Sequence, residues 1–526
     1  MMKIHQFIKS EKFWLGLIFI FGLILRFYQL GQVPSGFVND EAAFGYNAYS
    51  LIKTGKDEFG KSWPLVFRSF GEGKMPVYFY LTIPSILLFG LNEFSVRLPS
   101  ALFGSLTVLL TFFLVKEISK SKSRTWPLFS ALILAAMPWH IHFSRAAFEA
   151  NVSLFFITLG TWLWLIKHWQ LSLLSFILAV FTYSAAIIFV PLWLLYLFLT
   201  GKNRQKIILI FFPLWLFLLF LQSGTSRFKG ISIFNAQSGV AQRLEEKYRE
   251  TRDQPLWLTR ALHNKPVEFT FDFIKRYASH FNPDFLFFSG DPNRPRYRSP
   301  DSGQLLWFSL PFLVVGLYLI AKKRHWPILV WLLLAPLSAA ITFETPSAVR
   351  AILMIVPLSV ATALGILVVL KRFPWLSFPL FLIFSFNFIA YLDAYFIHAP
   401  VHQPYEWQGG YKQLVKRINE LMPQYDKALI TDSRGTAYIY FLFYNQYDPA
   451  KWQQQSRGAI TQADKFGFST IDHLDNLYFV GETCPAKIPE DRVLYVCTEE
   501  NHPKAGFTQF KDTIDFDDCQ PAFILI

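Results

Sequence analysis

Apolar runs of roughly membrane length recur along this chain, and a bilayer leaves each of them only one secondary structure. A run of about 20 apolar residues has no water to satisfy its backbone, so it must close its own hydrogen bonds as a helix. About eleven windows qualify, near residues 13–30, 95–115, 126–143, 150–166, 171–184, 185–200, 206–222, 304–321, 326–342, 348–370 and 374–392. Composition agrees: 53% of the 526 residues are hydrophobic, 18% aromatic and only 17% charged, with 57 Phe and 16 Trp, a balance foreign to soluble enzymes of this size. The expected fold is therefore a polytopic α-helical membrane protein of about eleven transmembrane helices. The first run follows Lys3, Lys9 and Lys12 without a small-residue cleavage site and reads as a retained span.

Charge orients the chain. The net charge of +13 comes from Lys and Arg gathered in short connections: the N-terminus, Lys116 to Arg124, Lys167-His168, Gly201 to Lys206, Lys322-Lys323-Arg324 and Lys371-Arg372. Basic connections stay in the cytoplasm, so the alternate ones face outward and nucleic acid is not an expected partner. Outward fall a first loop at 31–94, the turn at Ser144 to Glu149, a long loop at 223–303, the segment Thr342 to Arg350, and the C-terminal tail. Within the first loop, Pro76 to Gly90 is apolar but only about 15 residues long and interrupted by Pro84; it reads as an interfacial or re-entrant helix.

The chain divides into a membrane domain at 1–394 and an extracytoplasmic domain at 395–526, where hydropathy falls. Tyr411 to Leu421 has helical spacing, Ala428 to Asp432 reads as a strand, Ala437 to Tyr444 follows, and Leu477 to Val480 and Val493 to Val496 read as further strands, together a small α/β domain. The three cysteines, Cys484, Cys497 and Cys519, all lie in this tail without zinc-site spacing. A disulfide between Cys484 and Cys497 and free thiols are both open readings.

Ionisable groups collect in the outward segments. Asp40-Glu41 opens a helical stretch running to Ile52; Asp40 reads either as the helix N-cap or as a base that takes a proton from an acceptor hydroxyl. Lys74 precedes Pro76 and Tyr78, and reads either as a lysine snorkelling to the headgroups or as a cation holding a lipid phosphate. Glu93 and Arg97 stand four apart and are expected to pair on one helix face, with Arg97 also able to face a site. Ser144-Arg145 precedes Glu149. His280 with Arg294, Arg296 and Arg298 suits phosphate recognition or forms a solvated basic loop, and Arg350 suits a phosphate or a headgroup.

The order of these features, an outward Asp-Glu after the first span, Lys74-Met-Pro76-Val-Tyr78, Glu93-Phe-Ser-Val-Arg97-Leu-Pro99 and Ser144-Arg145 near an acid, resembles the GT-C membrane glycosyltransferases. More narrowly it is similar to bacterial relatives of the dolichyl-phosphate-mannose protein mannosyltransferases and the lipid A aminoarabinose transferase. The resemblance covers about residues 10–392 and includes Asp284 to Asp291 followed by Leu306 to Gly316. It implies an inverting transfer of a sugar from a polyprenyl-phosphate donor to an acceptor hydroxyl on the extracytoplasmic face. It assigns Asp40 as base and Glu41 as its support, and gives the donor phosphate to Lys74, Arg350, His280 and the arginines Arg294, Arg296 and Arg298. Tyr78, Glu93, Arg97, Arg145 and Glu149 would support the site or contact sugar or acceptor. No cofactor or metal is expected, since cations can neutralise a phosphate leaving group. The expected partners are the lipid-linked donor, membrane lipid, and a protein, lipid or glycan acceptor. The readings that compete are a transporter or flippase of a lipid-linked saccharide, whose expected internal repeats are not seen, and a structural membrane subunit.

Overall fold

The computed structural model describes residues 10–119, 125–201, 239–251, 255–342, 344–402, 404–432, 435–460, 470–481, 492–498 and 512–526. The apolar window at 206–222 and Cys484 lie outside the described residues. The chain falls into two compact units, the first made of Met1–Leu25, Phe103–Phe143 and Ala150–Tyr391, the second of Arg26–Leu102, Ser144–Glu149 and Leu392–Ile526.

Helices dominate the first unit, as a lipid environment requires. Among the described residues three helices of the chain are long and apolar enough to cross a bilayer, Glu93–Ser119, Ile352–Arg372 and Pro374–His402, and a fourth span arises if Pro138–Ser144 and Glu149–Leu165, bent by 114°, count as one. The sequence windows predict eleven. Several windows hold helices shorter than a span, among them Glu11–Phe27 with 17 residues, Trp169–Val180 with 12 and Ala186–Thr200 with 15, and the window at 206–222 lies outside the described residues.

Packing between helices in this unit relies on small residues and on indole hydrogen bonds. Ile355–Arg372 lies against both Leu310–Lys322 and Thr125–Ala135. A Cβ added to Gly316 would overlap the Ala361 carbonyl, and one added to Gly365 would overlap the Phe312 carbonyl, so the two backbones meet where neither has a side chain. Trp126 donates to the Val360 carbonyl at 3.0 Å, Trp331 to Leu353 at 2.9 Å, and Trp193 to the Thr161 hydroxyl at 2.9 Å, giving buried N–H groups partners that lipid cannot offer. Replacing Gly365 with Leu is expected to destabilise the protein by about 1–3 kcal/mol through overpacking. A thermal melt in detergent checks this; a melting temperature equal to wild type would show the helices are not in close contact there.

In the second unit the tail is an α/β domain built on a mixed sheet. Its strands are β3 (Lys427–Thr431), β4 (His473–Leu474), β5 (Leu477–Val480), β6 (Val493–Thr498), β7 (Asp512–Asp515) and β8 (Pro521–Leu525), in the order β4-β5-β3-β6-β8-β7; β1 and β2 belong to the first loop, below. β3 runs parallel to β5 and β6, and β8 runs antiparallel to β6 and β7. β3 shows the alternation of a covered strand, with Ala428 and Ile430 fully buried. Helix Tyr411–Leu421 buries Leu414, Val415, Ile418 and Leu421, a stripe of one helical face. Cys497 is disulfide-bonded and Cys519 is free and exposed.

The first loop belongs to the same unit. It contains helix Asn39–Thr54, a two-stranded hairpin β1 (Phe67–Ser69) and β2 (Glu72–Lys74), and helix Val77–Phe89, which at 13 residues is shorter than a span. Phe67 stacks on Phe79 with ring centres 3.9 Å apart, and Phe44 meets both Tyr78 and Phe79 at 4.7 Å, so aromatic contacts fasten hairpin to helices. Helix Asn39–Thr54 packs against Val77–Phe89 and against the tail helices Tyr438–Tyr444 and Pro449–Ala459. Gly45 permits that approach, because a Cβ there would collide with Phe443 and Val96.

Candidate active site

Helix Asn39–Thr54 starts two residues earlier than the sequence suggests, and this changes the role of its first acids. Its N-cap is Val38, so Asp40 is not a cap; the capping task falls to Glu41, whose Oε2 accepts the Val38 N–H at 3.3 Å. Asp40 in the first turn keeps its side chain 41% exposed and is bonded to the Lys74 ammonium. That ammonium is 7% exposed and lies over the rings of Phe44 and Phe70 at 5.3 and 5.5 Å. Aromatic faces thus fix the cation, and the cation fixes the carboxylate.

Glu41 is almost fully buried, and every direction around it carries a donor. Arg97 Nε donates to Oε1 at 2.9 Å and Arg97 Nη2 to Oε2 at 3.0 Å, a fork on a carboxylate, while the Ala147 N–H donates to Oε1 at 2.9 Å. The rest of the guanidinium donates to the carbonyls of Leu30 at 3.2 Å, Pro34 at 3.0 Å and Gly36. Arg97 therefore pairs with Glu41 and not with Glu93, as the four-residue spacing leads one to expect. Glu93 instead accepts from Lys412 at 2.8 Å. The reason is desolvation: a fully buried guanidinium needs a buried counter-charge and many acceptors, and only Glu41 with the 30–36 backbone supplies both.

Arg145, also buried, donates to the carbonyls of Tyr28 at 2.6 Å and Val33 at 3.0 Å and stands over the Phe396 ring at 4.7 Å. Together Arg97 and Arg145 hold the chain between Tyr28 and Gly36, the approach to Asp40. Tyr78 donates to the Val96 carbonyl at 2.9 Å, and Glu149 begins the helix Glu149–Leu165. All these residues lie in the second unit.

The remaining expected residues, His280, Arg294, Arg296, Arg298 and Arg350, lie in the first unit. His280 uses both ring nitrogens on backbone: Nδ1 is 2.9 Å from the Arg276 carbonyl, and Nε2 accepts the Ser347 N–H at 3.1 Å. Burial pushes its pKa down to about 4, so the ring is neutral at physiological pH. Arg350 and Arg294 each donate to Glu344 at 3.0 Å. Arg298 donates to the Ser289 carbonyl at 3.0 Å, and Arg296 to the Tyr297 hydroxyl at 3.1 Å. Asp291 accepts the Ala348 N–H at 2.7 Å and the Asn293 N–H at 2.9 Å, and so laces the two arginine-bearing loops together.

Sequence reasoning missed Glu344, Asp291 and above all Glu58. Glu58 lies in Lys56-Asp57-Glu58-Phe59-Gly60-Lys61, which reads as a solvated turn, yet its carboxyl is fully buried. Asn47 donates to it at 2.9 Å and accepts its backbone N–H at 3.0 Å, and the Tyr438 hydroxyl of the tail lies 3.4 Å away. Burial pushes its pKa up to about 8 from an ordinary 4.5. A carboxyl whose folded pKa is raised stabilises the fold most when protonated in both states, and that stability is lost as pH climbs from about 4.5 to about 8. Wild type is expected to lose on the order of a few kcal/mol across that window, and Glu58→Gln to lose much less. Parallel melts from pH 5 to 8.5 test this; equal slopes for the two proteins would refute it.

A cleft of about 530 Å³, also unsuspected, is lined by Phe37, Glu93, Gln408, Lys412, Tyr444 and Asp515, among others. Gln408 in its wall accepts the Asn39 N–H at 2.6 Å, beside Asp40. Among the described residues no group of three or more His, Cys, Asp or Glu side chains converges as metal ligands.

Residues 16–201 match the family described as dolichyl-phosphate-mannose-protein mannosyltransferase. An uncharacterized protein of Aquifex aeolicus (strain VF5) is 33% identical over 154 residues, which is 29% of this chain and 29% of that protein. A second from the same organism is 36% identical over 124 residues, 23% of this chain and 28% of that protein. The chain thus spans less than a third of the length of the curated relatives it matches. Among solved structures, ArnT from Cupriavidus metallidurans in the apo state superposes with a TM-score of 0.52 at 10% identity, covering 97% of each chain. The same protein bound to undecaprenyl phosphate gives 0.51 at 11% identity, covering 97% of this chain and 98% of that one. At such identity the likeness is one of fold. The resemblance to GT-C membrane glycosyltransferases drawn from the motifs is borne out by the matched family and by this fold.

Proposed function

We propose that this protein is an integral membrane glycosyltransferase that moves a sugar from a polyprenyl-phosphate donor to an acceptor hydroxyl at the extracytoplasmic face, with inversion at the anomeric carbon. The observation that carries the reading is the Asp40–Lys74 pair: a half-exposed carboxylate oriented by a nearly buried cation and set on the rigid Glu41–Arg97 fork. In this reading Asp40 takes the acceptor proton, the hydroxyl oxygen bonds to the anomeric carbon, and the bond from that carbon to the phosphate oxygen breaks. Glu41 positions and does not react, because its oxygens are already committed to Arg97, Ala147 and Val38.

Lys74 has three N–H donors and can serve Asp40 and a donor phosphate at once. Within the first unit taken by itself, Arg350 and Arg294 are the proposed phosphate-binding pair among the outward arginines, with His280 positioning the Ser347 backbone close to Arg350. That cations supply the charge neutralisation a departing phosphate needs supports the reading. The match to a family described by its dolichyl-phosphate-mannose donor and the fold shared with a protein crystallised with undecaprenyl phosphate support a lipid-phosphate donor. An outward Asp40, a cytoplasmic N-terminus and an extracytoplasmic tail follow from the basic connections.

Mass analysis of surface glycoconjugates from cells with and without the gene tests the reading. A sugar present only with the gene is expected. An unchanged profile in cells that make the protein would leave the lipid-linked saccharide transporter as the better account.

A further inference from the structure

Two arginines from two loops of the first unit meet one carboxylate, Glu344, which shares the loop of Arg350. Arg294 Nη2 donates to Glu344 Oε1 and Arg350 Nη2 to Glu344 Oε2, each at 3.0 Å. The loops that carry the arginines are also tied together without the Glu344 carboxylate. Asp291 accepts the N–H groups of Asn293 and Ala348, Asn293 Nδ2 donates to the Pro346 carbonyl at 2.6 Å, and His280 accepts from Ser347. Each loop is thereby tied to the other within a few residues of its arginine.

Two guanidinium groups fixed this close repel, so an oxyanion between them is favoured. The two walls also differ. Arg350 is 14% exposed and further held by the Thr342 hydroxyl at 3.1 Å and the Glu344 carbonyl at 3.3 Å, whereas Arg294 is 45% exposed. One wall is fixed and the other free to adjust to a larger anion. Glu344 itself is 28% exposed and stands six residues before Arg350 on the same loop. Burial would raise its pKa, but Arg350 and Arg294 hold it below the ordinary carboxylate range, so it is charged at neutral pH.

We propose that Arg294 and Arg350 form a phosphoryl seat and that the Glu344 carboxylate is its resident occupant, displaced when a phosphate group enters. The inference rests on the donor assignment above and adds a gate to it. One carboxylate oxygen on each arginine imitates two non-bridging phosphate oxygens. An incoming phosphate brings further oxygens and more negative charge, and so exchanges with Glu344 without leaving the arginines unpaired. The internal carboxylate keeps the seat closed to weak anions, so occupancy favours ligands that gain contacts elsewhere.

The test uses the full-length protein in detergent, with inorganic phosphate and geranylgeranyl phosphate as probes, titrated by calorimetry. Glu344→Gln, which keeps shape and removes charge, is expected to bind both probes about fivefold more tightly, as removal of an internal competitor worth one partly exposed ion pair predicts. Glu344→Ala should do the same, which separates lost charge from a misfolded variant. If wild type binds the lipid probe at least tenfold more tightly than free phosphate, the seat serves a lipid-linked phosphate; equal affinities would assign it to free phosphate. Unchanged or weaker binding of both probes in both Glu344 variants overturns the gate and makes Glu344 a brace. Arg350→Ala distinguishes the two levels: if it leaves lipid-probe binding intact, the donor assignment fails, while tightening of inorganic phosphate by Glu344→Gln still decides the gate.

Discussion

Asp40→Asn is expected to lower sugar transfer by roughly 10²- to 10⁴-fold, the range over which a positioned general base acts, while leaving the protein folded and able to bind lipid phosphate. The amide matches the carboxylate in shape, and Lys74 also lies over the rings of Phe44 and Phe70, so the surroundings should persist. What disappears is the carboxylate's charge and basicity, without which the acceptor's proton cannot be held. The measurement is the amount of sugar on surface glycoconjugates in cells making equal membrane levels of wild type or variant, with polyprenyl-phosphate binding measured on the purified proteins. Transfer within tenfold of wild type, with binding retained, would remove Asp40 from the chemistry. Lys74→Ala makes a useful companion, since it should damage both transfer and phosphate binding if the ammonium serves both.

Arg97→Ala should be the most damaging single change to the fold itself, on the order of 3–5 kcal/mol, because it leaves the Glu41 carboxylate buried without its counter-charge. The same truncation strips hydrogen bonds from the carbonyls of Leu30, Pro34 and Gly36. Arg97→Lys should recover only a small part, because an ammonium cannot reproduce the fork on both Glu41 oxygens while also reaching three carbonyls. Two residues in one network do not add independently, so Arg97→Ala with Glu41→Ala should cost less than the sum of the single changes. Melting temperatures of the four proteins in one detergent provide the check. A fully additive double variant, or an Arg97→Ala protein that melts like wild type, would show that the fork contributes little.

How much of this was visible in the amino-acid sequence depends on which physical signal each residue leaves. Part of the tail could be read, since Leu414, Val415, Ile418 and Leu421 mark a helix by spacing and Leu477–Val480 and Val493–Val496 are short apolar runs that form strands, whereas β4, β7, β8 and the helix Pro449–Ala459 gave no comparable signal. Asp40 and Lys74 could be proposed as functional because charge beside a membrane span is rare. Their direct bond could not, because it depends on a two-residue hairpin turn at Phe70-Gly71 that brings β2 back toward the helix. The Glu93–Arg97 expectation failed for a related reason: helical spacing says which side chains can meet, while burial decides which must. Glu58 left no signal at all, since its partners Asn47 and Tyr438 stand 11 and 380 residues away. Span lengths were less legible, since windows such as 171–184 and 185–200 hold helices of only 12 and 15 residues.

The second unit joins Arg26–Leu102 to Leu392–Ile526, with the whole middle of the chain made between them. During synthesis, then, the helix that presents Asp40 is made long before Tyr438–Tyr444 and Pro449–Ala459, the helices it packs against. A partly made chain that stops short of Tyr438 therefore lacks the contacts that hold the helix presenting Asp40.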